Sequence, residues 1–544
     1  MSPRETMDNH SFRARPFSVS VEVAVLSALL LLFLGITGFR LYSPGFYFDA
    51  IPDEARALSW AESLRAGRFH FLSSWGAMPL YHGNLTSYFL FPVFYLLGPQ
   101  WTLIRLWPIF WGMLTLISTY LLVRRAFDVP TAAGTVFLLA IHPAFAMGIK
   151  VGQYYGSLML FFSTTGLLLF LRAWQEKSAV SWALAIFVSS LGLGTRLWYS
   201  WFLIGLCVCG LAFSGHLWRR FNLGDTSRRR WFVYGGIVAL LPMSVMIIYG
   251  LMQRGYADIS GTLHPQSLEN PCRQFLRLTH QMLLGLNAYN YYFNGAAPSI
   301  RKIAHSPLNT LYPPVFWVSL LWCALRPVIK PAHQSRGPLT FLVLLFISMM
   351  GAAAFTFKFR AFAHHYIVFY PLYQIIIVVA LKDILQRSLR YPLLTLLIVG
   401  SSVQFILSET YALTGFMRRV SIHGGLNKAT DRIYDLSDQI DRYAIKNRSV
   451  PILTSYYVAQ NLSFLNAGSD IRAGDDPDAL KLLLGGTPRF AYILSHWDTE
   501  QAGLPTLRSL SMKHGYSINR LHRLHDKDGS PVFDFFELTR DSKD

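Results

Sequence analysis

Asp53 and Glu54 stand side by side just after Pro52, at the start of a helical pattern (Ala55, Leu58, Ala61, Leu64) that ends at Gly67. Arg56, Glu62 and Arg65 share the stretch, and Asp49 lies just ahead of it. Carboxylates in such company can exchange protons or orient a polar ligand. They also suit a plain structural duty, because Pro at the first helical position and acids in the first turn fit a helix N-terminus and its dipole. Gly67 would then simply end the helix. That duty does not explain why so charged a helix should sit beside long apolar runs. Nor does it explain the aromatic, glycine-rich turn that follows, Trp75-Gly-Ala-Met-Pro-Leu-Tyr-His-Gly83.

The elements that position these residues belong to a membrane protein. Hydrophobic residues make up 52% of the 544-residue chain and charged residues 15%, against roughly 25% charged in a soluble domain. The apolar residues gather in runs such as Val23–Leu34, Leu158–Leu171 and Phe341–Met350, which would leave exposed patches in water but face lipid comfortably. Runs near twenty residues give about eleven spans: 19–41, 101–123, 129–147, 155–173, 180–194, 198–215, 231–250, 308–325, 338–356, 365–381 and 391–408. Segment 86–98 is apolar but short, either the start of the second span or a re-entrant piece.

The net charge of +19 points to no nucleic-acid partner, because the cations cluster in short loops between apolar runs. These are Arg124 and Arg125, Arg172 and Lys177, Arg219 and Arg220, Arg228–Arg230, Arg326 and Lys330, then Lys382, Arg387 and Arg390. With residues 1–18 cytoplasmic and the first span uncleaved, every even-numbered span ends in a basic loop, as the positive-inside rule requires. Two long loops, 42–85 and 251–307, and the tail 409–544 then face outward. Cys207, Cys209 and Cys323 lie inside apolar runs, so no disulfide framework or metal spacing is present. The expected fold class is an all-α polytopic membrane domain over 19–408 with a small extracytoplasmic α/β domain over 409–544. In the tail, Pro451–Thr454 and Phe490–Leu494 read as buried strands and Leu521–Leu538 as a hairpin turning at Lys527–Ser530, while Pro477–Leu484 and Thr506–His514 read as helical.

An Asp-Glu pair soon after the first span, a helix ending in Gly and a Pro79-Leu-Tyr-x-Gly83 turn leading into an apolar run resemble the first external loop of the C-superfamily (GT-C) membrane glycosyltransferases. The likeness is to the protein O-mannosyltransferase and lipid A aminoarabinose transferase branch. It covers residues 46–90 together with the overall plan of spans, outer-face loops and soluble tail. The resemblance implies inverting transfer of a sugar from a polyprenyl-phosphate donor to a lipid, polysaccharide or protein acceptor on the outer face. It implies Asp53 as the base, with Glu54 assisting and Asp49 a weaker substrate-binding carboxylate. Arg196, Arg360 and Lys358, with Lys150 behind them, would meet the donor phosphate. The plain alternative for these cations is snorkelling to the interface. Tyr81, His82, Gln153, Tyr154, His364, His365 and Arg273 complete the substrate-binding set.

One departure counts against a metal. The second outer loop, His142 to Tyr155, holds no carboxylate, and Gln153 stands where relatives place an acid. No cofactor is called for, and a divalent metal is admitted without being favoured, since the adjacent His364 and His365 point apart on a helix. The expected setting is the bacterial inner (plasma) membrane, with membrane lipid as partner. Two other readings stand beside the enzyme: a transporter or flippase of a lipid-linked saccharide, and a non-catalytic scaffold of the same fold. Against the transporter, acids other than Glu22 are expected to stay out of the spans.

Overall fold

A computed structural model describes residues 19–43, 51–68, 85–98, 100–150, 156–215, 229–240, 271–284, 311–329, 336–355, 363–423, 431–447, 450–454, 471–473, 488–496, 515–527 and 529–540, with a few single positions between them. Within these the membrane part is helical throughout. The helices are α1 (Val19–Gly38), α2 (Ile51–Arg65), α3 (Leu85–Leu97), α4 (Trp101–Ala126), α5 (Val129–Ile141), α6 (Pro143–Lys150), α7 (Gly156–Glu176), α8 (Ala179–Leu193) and α9 (Ser200–Ala212). They continue with α10 (Pro271–Leu283), α11 (Tyr312–Ile329), α12 (Arg336–Phe355), α13 (Tyr370–Ser388) and α14 (Pro392–His423). Residues 229–240 are helical as well.

Among the described residues, six helices are long and apolar enough to cross a membrane, and α5 with α6 forms a pair bent by 60°, which is either a broken seventh span or a re-entrant loop. The bend falls at His142, which Pro143 forces out of the helical region to φ −70° and ψ 120°. The expected spans 180–194 and 198–215 are shorter helices, α8 and α9, of 15 and 13 residues. Segment 86–98 is the separate 13-residue helix α3. Helix α13 runs through the middle of the bundle, with Tyr370, Tyr373, Ile376 and Ile377 all buried. By contrast α1 and α14 turn apolar side chains such as Leu31, Leu393, Leu396 and Leu407 outward, as lipid-facing helices do.

The carboxylates at the basic-loop end each neutralise a cation from another helix. Glu22 pairs with Arg124 at 2.8 Å, and Asp383 meets Arg326 and Arg387 at 3.0 Å while accepting from the Trp322 indole. Asp128 caps α5 through the Thr131 amide and binds Lys382. These pairs fix α1 to α4, α11 to α13 and α5 to α13 at one end of the bundle.

The α14 helix continues to His423, well past the expected end of the span at 408. Glu409 therefore lies inside a helix, 3% exposed, and pairs with His142 across the bundle at 2.9 Å. This corrects the expectation that Glu22 is the only acid inside a span. The sequence break at Glu409-Thr410 ended the apolar run, but a partner on another helix lets the carboxylate stay inside.

Beyond α14 comes α15 (Arg432–Lys446) and a five-stranded sheet, ordered β2-β1-β3-β5-β4, of β1 (Ile452–Thr454), β2 (Ile471–Ala473), β3 (Arg489–Ser495), β4 (Tyr516–His525) and β5 (Pro531–Arg540). Strand β1 runs parallel to β2 and β3, and β5 runs antiparallel to β3 and β4. Ile433, Leu436 and Ile440 of α15 pack on Ile452, Ile493 and Phe535. The expected strands and hairpin are present, with Gly529 at φ +86° in the turn. The helices expected at Pro477–Leu484 and Thr506–His514 lie outside the described residues. Asp534, buried on β5, accepts a two-pronged bond from Arg523 at 2.7 Å and one from His496 at 3.0 Å.

The sheet domain is tied to the membrane part at the end opposite the basic loops. The Ser43 hydroxyl donates to Asp431 at 2.8 Å, and the Tyr434 hydroxyl donates to the Tyr42 carbonyl at 2.8 Å. Lys150, fully buried, donates to the Phe39 carbonyl beside them.

Candidate functional site

Helix α2 carries Asp53 and Glu54 in its first turn and ends as expected at Gly67. Gly67 has φ +66°, donates to Leu64 at 3.0 Å, and is followed by the Arg68 amide donating to Ser63 at 2.8 Å. That is the paired closure a left-handed residue after a helix permits. The apolar face of α2 (Ala57, Ala61) packs on Leu90 and Phe94 of α3, with Trp60 4.5 Å from the Tyr88 ring. The two helices run side by side in the same direction: Arg56 donates to the Ser87 hydroxyl at 3.3 Å, and Arg65 donates to the Phe94 and Tyr95 carbonyls at 2.9 and 2.8 Å. The acidic first turn of α2 therefore lies at the same end as the first turn of α3.

From there the chain of contacts runs to three other segments. The Leu85 amide at the start of α3 donates to the Gly194 carbonyl at 3.0 Å, joining the end of the first loop to the Gly194-Thr195-Arg196 turn. Arg196 is 3% exposed, so it is held within the protein and does not snorkel at its surface. A 3-10 turn, Leu197–Tyr199, leads into α9, whose Trp201 packs 5.5 Å from Tyr366 and 6.2 Å from Phe369. Both rings belong to the 3-10 segment Ala363–Phe369, which carries His364 and His365. The first residue of α7, Gly156, abuts Ile367 of that segment so closely that a Cβ there would stand 2.3 Å from the isoleucine Cδ1.

Four segments singled out in the sequence thus converge at one end of the bundle: the start of α2 and α3, the turn at 194–196, the start of α7, and 363–369. Arg273 lies on α10, which packs against 363–369, and is exposed. The side chains of Asp53, Glu54, His364 and His365, and all of Asp49, Tyr81, His82, Gln153, Tyr154, Lys358 and Arg360, lie outside the described residues. Lys150 is fully buried and engaged with Phe39. Among the described residues no three His, Cys, Asp or Glu side chains gather as a metal site would require. The His142–Glu409 pair was missed in the sequence, where Glu409 falls to the tail; the His142-Pro143 dipeptide is its one local signal, marking a helix break.

Gly192 keeps the Arg196 turn in place, because a Cβ there would stand 2.1 Å from the ring of Tyr199, itself fully buried. Gly192→Ala is expected to destabilise the protein by about 1–3 kcal/mol through overpacking. Thermal unfolding of the purified variant checks this, and an unchanged midpoint refutes it.

Residues 81–249 match the family model of the dolichyl-phosphate-mannose-protein mannosyltransferases. The whole architecture superposes on the crystal structure of ArnT from Cupriavidus metallidurans bound to undecaprenyl phosphate, with a TM-score of 0.60 at 12% identity, covering 95% of this chain and 98% of that one. The chain has the GT-C fold. The apo form of the same protein gives 0.59 at 13% identity, with the same coverage. The Archaeoglobus fulgidus oligosaccharyltransferase gives 0.53 at 12% identity, covering 95% of this chain and 74% of that one. No curated protein matches the chain by sequence. The GT-C fold accounts for the helical bundle and the small sheet domain as one architecture, since the ArnT coverage includes both.

Proposed function

We propose that the chain is a membrane glycosyltransferase that moves a sugar from a polyprenyl-phosphate carrier to an acceptor at the end of the bundle opposite the basic loops. The observation that carries this reading is the convergence of the acidic α2 turn, the buried Arg196 turn and the 363–369 segment at that one end. The relatives support it: one is a mannosyltransferase family using a dolichyl-phosphate sugar, another a structure holding undecaprenyl phosphate.

In this reading the acceptor's nucleophile attacks the anomeric carbon as the carbon–oxygen bond to phosphate breaks. The bonding pair leaves with the polyprenyl phosphate, and the nucleophile's proton goes to Asp53. A single displacement of this kind inverts the anomeric centre. Glu54 orients the acceptor beside Asp53, with Asp49 nearby. Arg196, Arg360 and Lys358 bind the phosphate and stabilise the charge it gains on leaving. Tyr81, His82, Gln153, Tyr154, His364, His365 and Arg273 line the substrate path. The site faces outward across a bacterial inner membrane, with the sheet domain on the same side.

Reporter fusions test the placement: a reporter at Gly224 reads cytoplasmic and one at the C-terminus reads external, and the same side for both would end the scheme. Membranes containing the chain should transfer labelled sugar from pooled polyprenyl-phosphate donors to an endogenous acceptor. No transfer above membranes lacking the chain would move the transporter and scaffold readings ahead.

A further inference from the structure

A second polar cluster lies inside the bundle, where the α5–α6 break meets α11, α13 and α14. His142, 1% exposed, donates from Nδ1 to Glu409 Oε2 at 2.9 Å. Its ring stacks on Tyr312 with centroids 4.6 Å apart and meets Tyr370 edge-on at 5.3 Å. With Nδ1 taken by Glu409, Nε2 is the ring nitrogen left over for a ligand. Nε2 is buried and has no hydrogen bond to any described residue. The Tyr312 hydroxyl and the Gln374 carboxamide are likewise buried without hydrogen-bond partners among the described residues. Leaving such atoms unmatched inside a lipid-embedded core is costly, and an ionisable pair at this depth marks a functional site by default.

The chemistry of the cluster selects its ligand. Nε2 bonds a hydroxyl as acceptor when the ring is neutral and as donor when it is protonated, the Tyr312 hydroxyl can donate or accept, and the Gln374 amide offers both functions. The His142–Glu409 pair carries no net positive charge in either state of the imidazole, so it offers a phosphate no attraction and admits a neutral hydroxyl. The location agrees: Tyr370 follows directly on the 363–369 segment of the proposed site, and Gln374 lies one helical turn further into the bundle.

We propose that His142, held by Glu409, presents Nε2 to a sugar-hydroxyl site completed by Tyr312 and Gln374, and that its ligand is the sugar of the lipid-linked donor. The proposal rests on the lipid-linked-sugar reading above and assigns the specificity of that site to the bundle interior. The phosphate is left to the cations at the rim.

The test needs no turnover, which separates its failure from a failure of catalysis. Full-length protein in nanodiscs is titrated with the polyprenyl-phosphate sugars extracted from host membranes, and with the corresponding polyprenyl phosphate carrying no sugar, the stripped pool. Thermal midpoints report binding. Wild type should bind the intact pool more tightly than the stripped one. His142→Phe, which keeps a ring on Tyr312, should lose about tenfold in affinity for the intact pool alone. Tyr312→Phe, which removes one hydroxyl and keeps the stack, should lose affinity for the intact pool in the same way; its ligand-free midpoint shows whether it folds. Variants that keep the wild-type preference for the intact pool overturn the proposal, as does a wild type with no such preference. A wild type that binds neither pool overturns the lipid-carrier reading along with it.

Discussion

Asp53→Asn should lower sugar transfer by roughly a hundredfold or more at equal expression, because the amide keeps the size and helix-start position but cannot take the acceptor's proton. The helix itself should survive the change. Asn serves a helix N-terminus nearly as well as Asp, and α2 is held by Trp60, Ala57 and Ala61 against α3 and by Arg56 and Arg65 at its two ends. A purely structural role for Asp53 would therefore leave the rate within a few-fold of wild type. Glu54→Gln should chiefly weaken acceptor binding. If both variants match wild type, the base lies elsewhere and the catalytic assignment falls.

The second large effect is on the sheet domain. Asp534 is 1% exposed on β5, and burial works against its charge. The bonds from Arg523 and His496 outweigh that and hold its carboxyl below the ordinary range. Asp534→Ala removes the acceptor shared by Arg523 and His496 and should cost about 1–3 kcal/mol. Hydrogen exchange in the full-length protein checks this through lost protection in β3 and β5, and unchanged protection there refutes it. The same group gives the domain an acid limit. Its folded pKa lies below the unfolded value of about 3.9, so the stabilisation is complete above that value and is lost as the pH falls through the lower folded one. Asp534→Ala should flatten that acid transition.

What the sequence reveals follows the range over which each signal acts. Apolar runs and basic loops marked the helices because composition is read within one segment. The end of α2 at Gly67 and the β4–β5 turn at Gly529 were legible because a positive φ favours glycine locally. The site was legible in pieces only. The Leu85–Gly194 bond and the Trp201–Tyr366 contact join residues more than a hundred positions apart, and no local pattern reports them. Glu409 was hidden for the same reason: its partner lies 267 residues away, and a lone acid reads as the end of a span. Arg196 carried a local signal, a cation in a short turn between two spans, yet its burial follows from neighbours that only the fold supplies.

The most direct measurement gives purified protein in nanodiscs a labelled polyprenyl-phosphate sugar, with a nucleotide sugar as control, and reads both the transfer and the anomeric configuration of the product. The account predicts that label leaves the lipid donor alone and arrives with inverted configuration, as one displacement assisted by one base requires. Transfer from the nucleotide sugar, or a product of retained configuration, would contradict it.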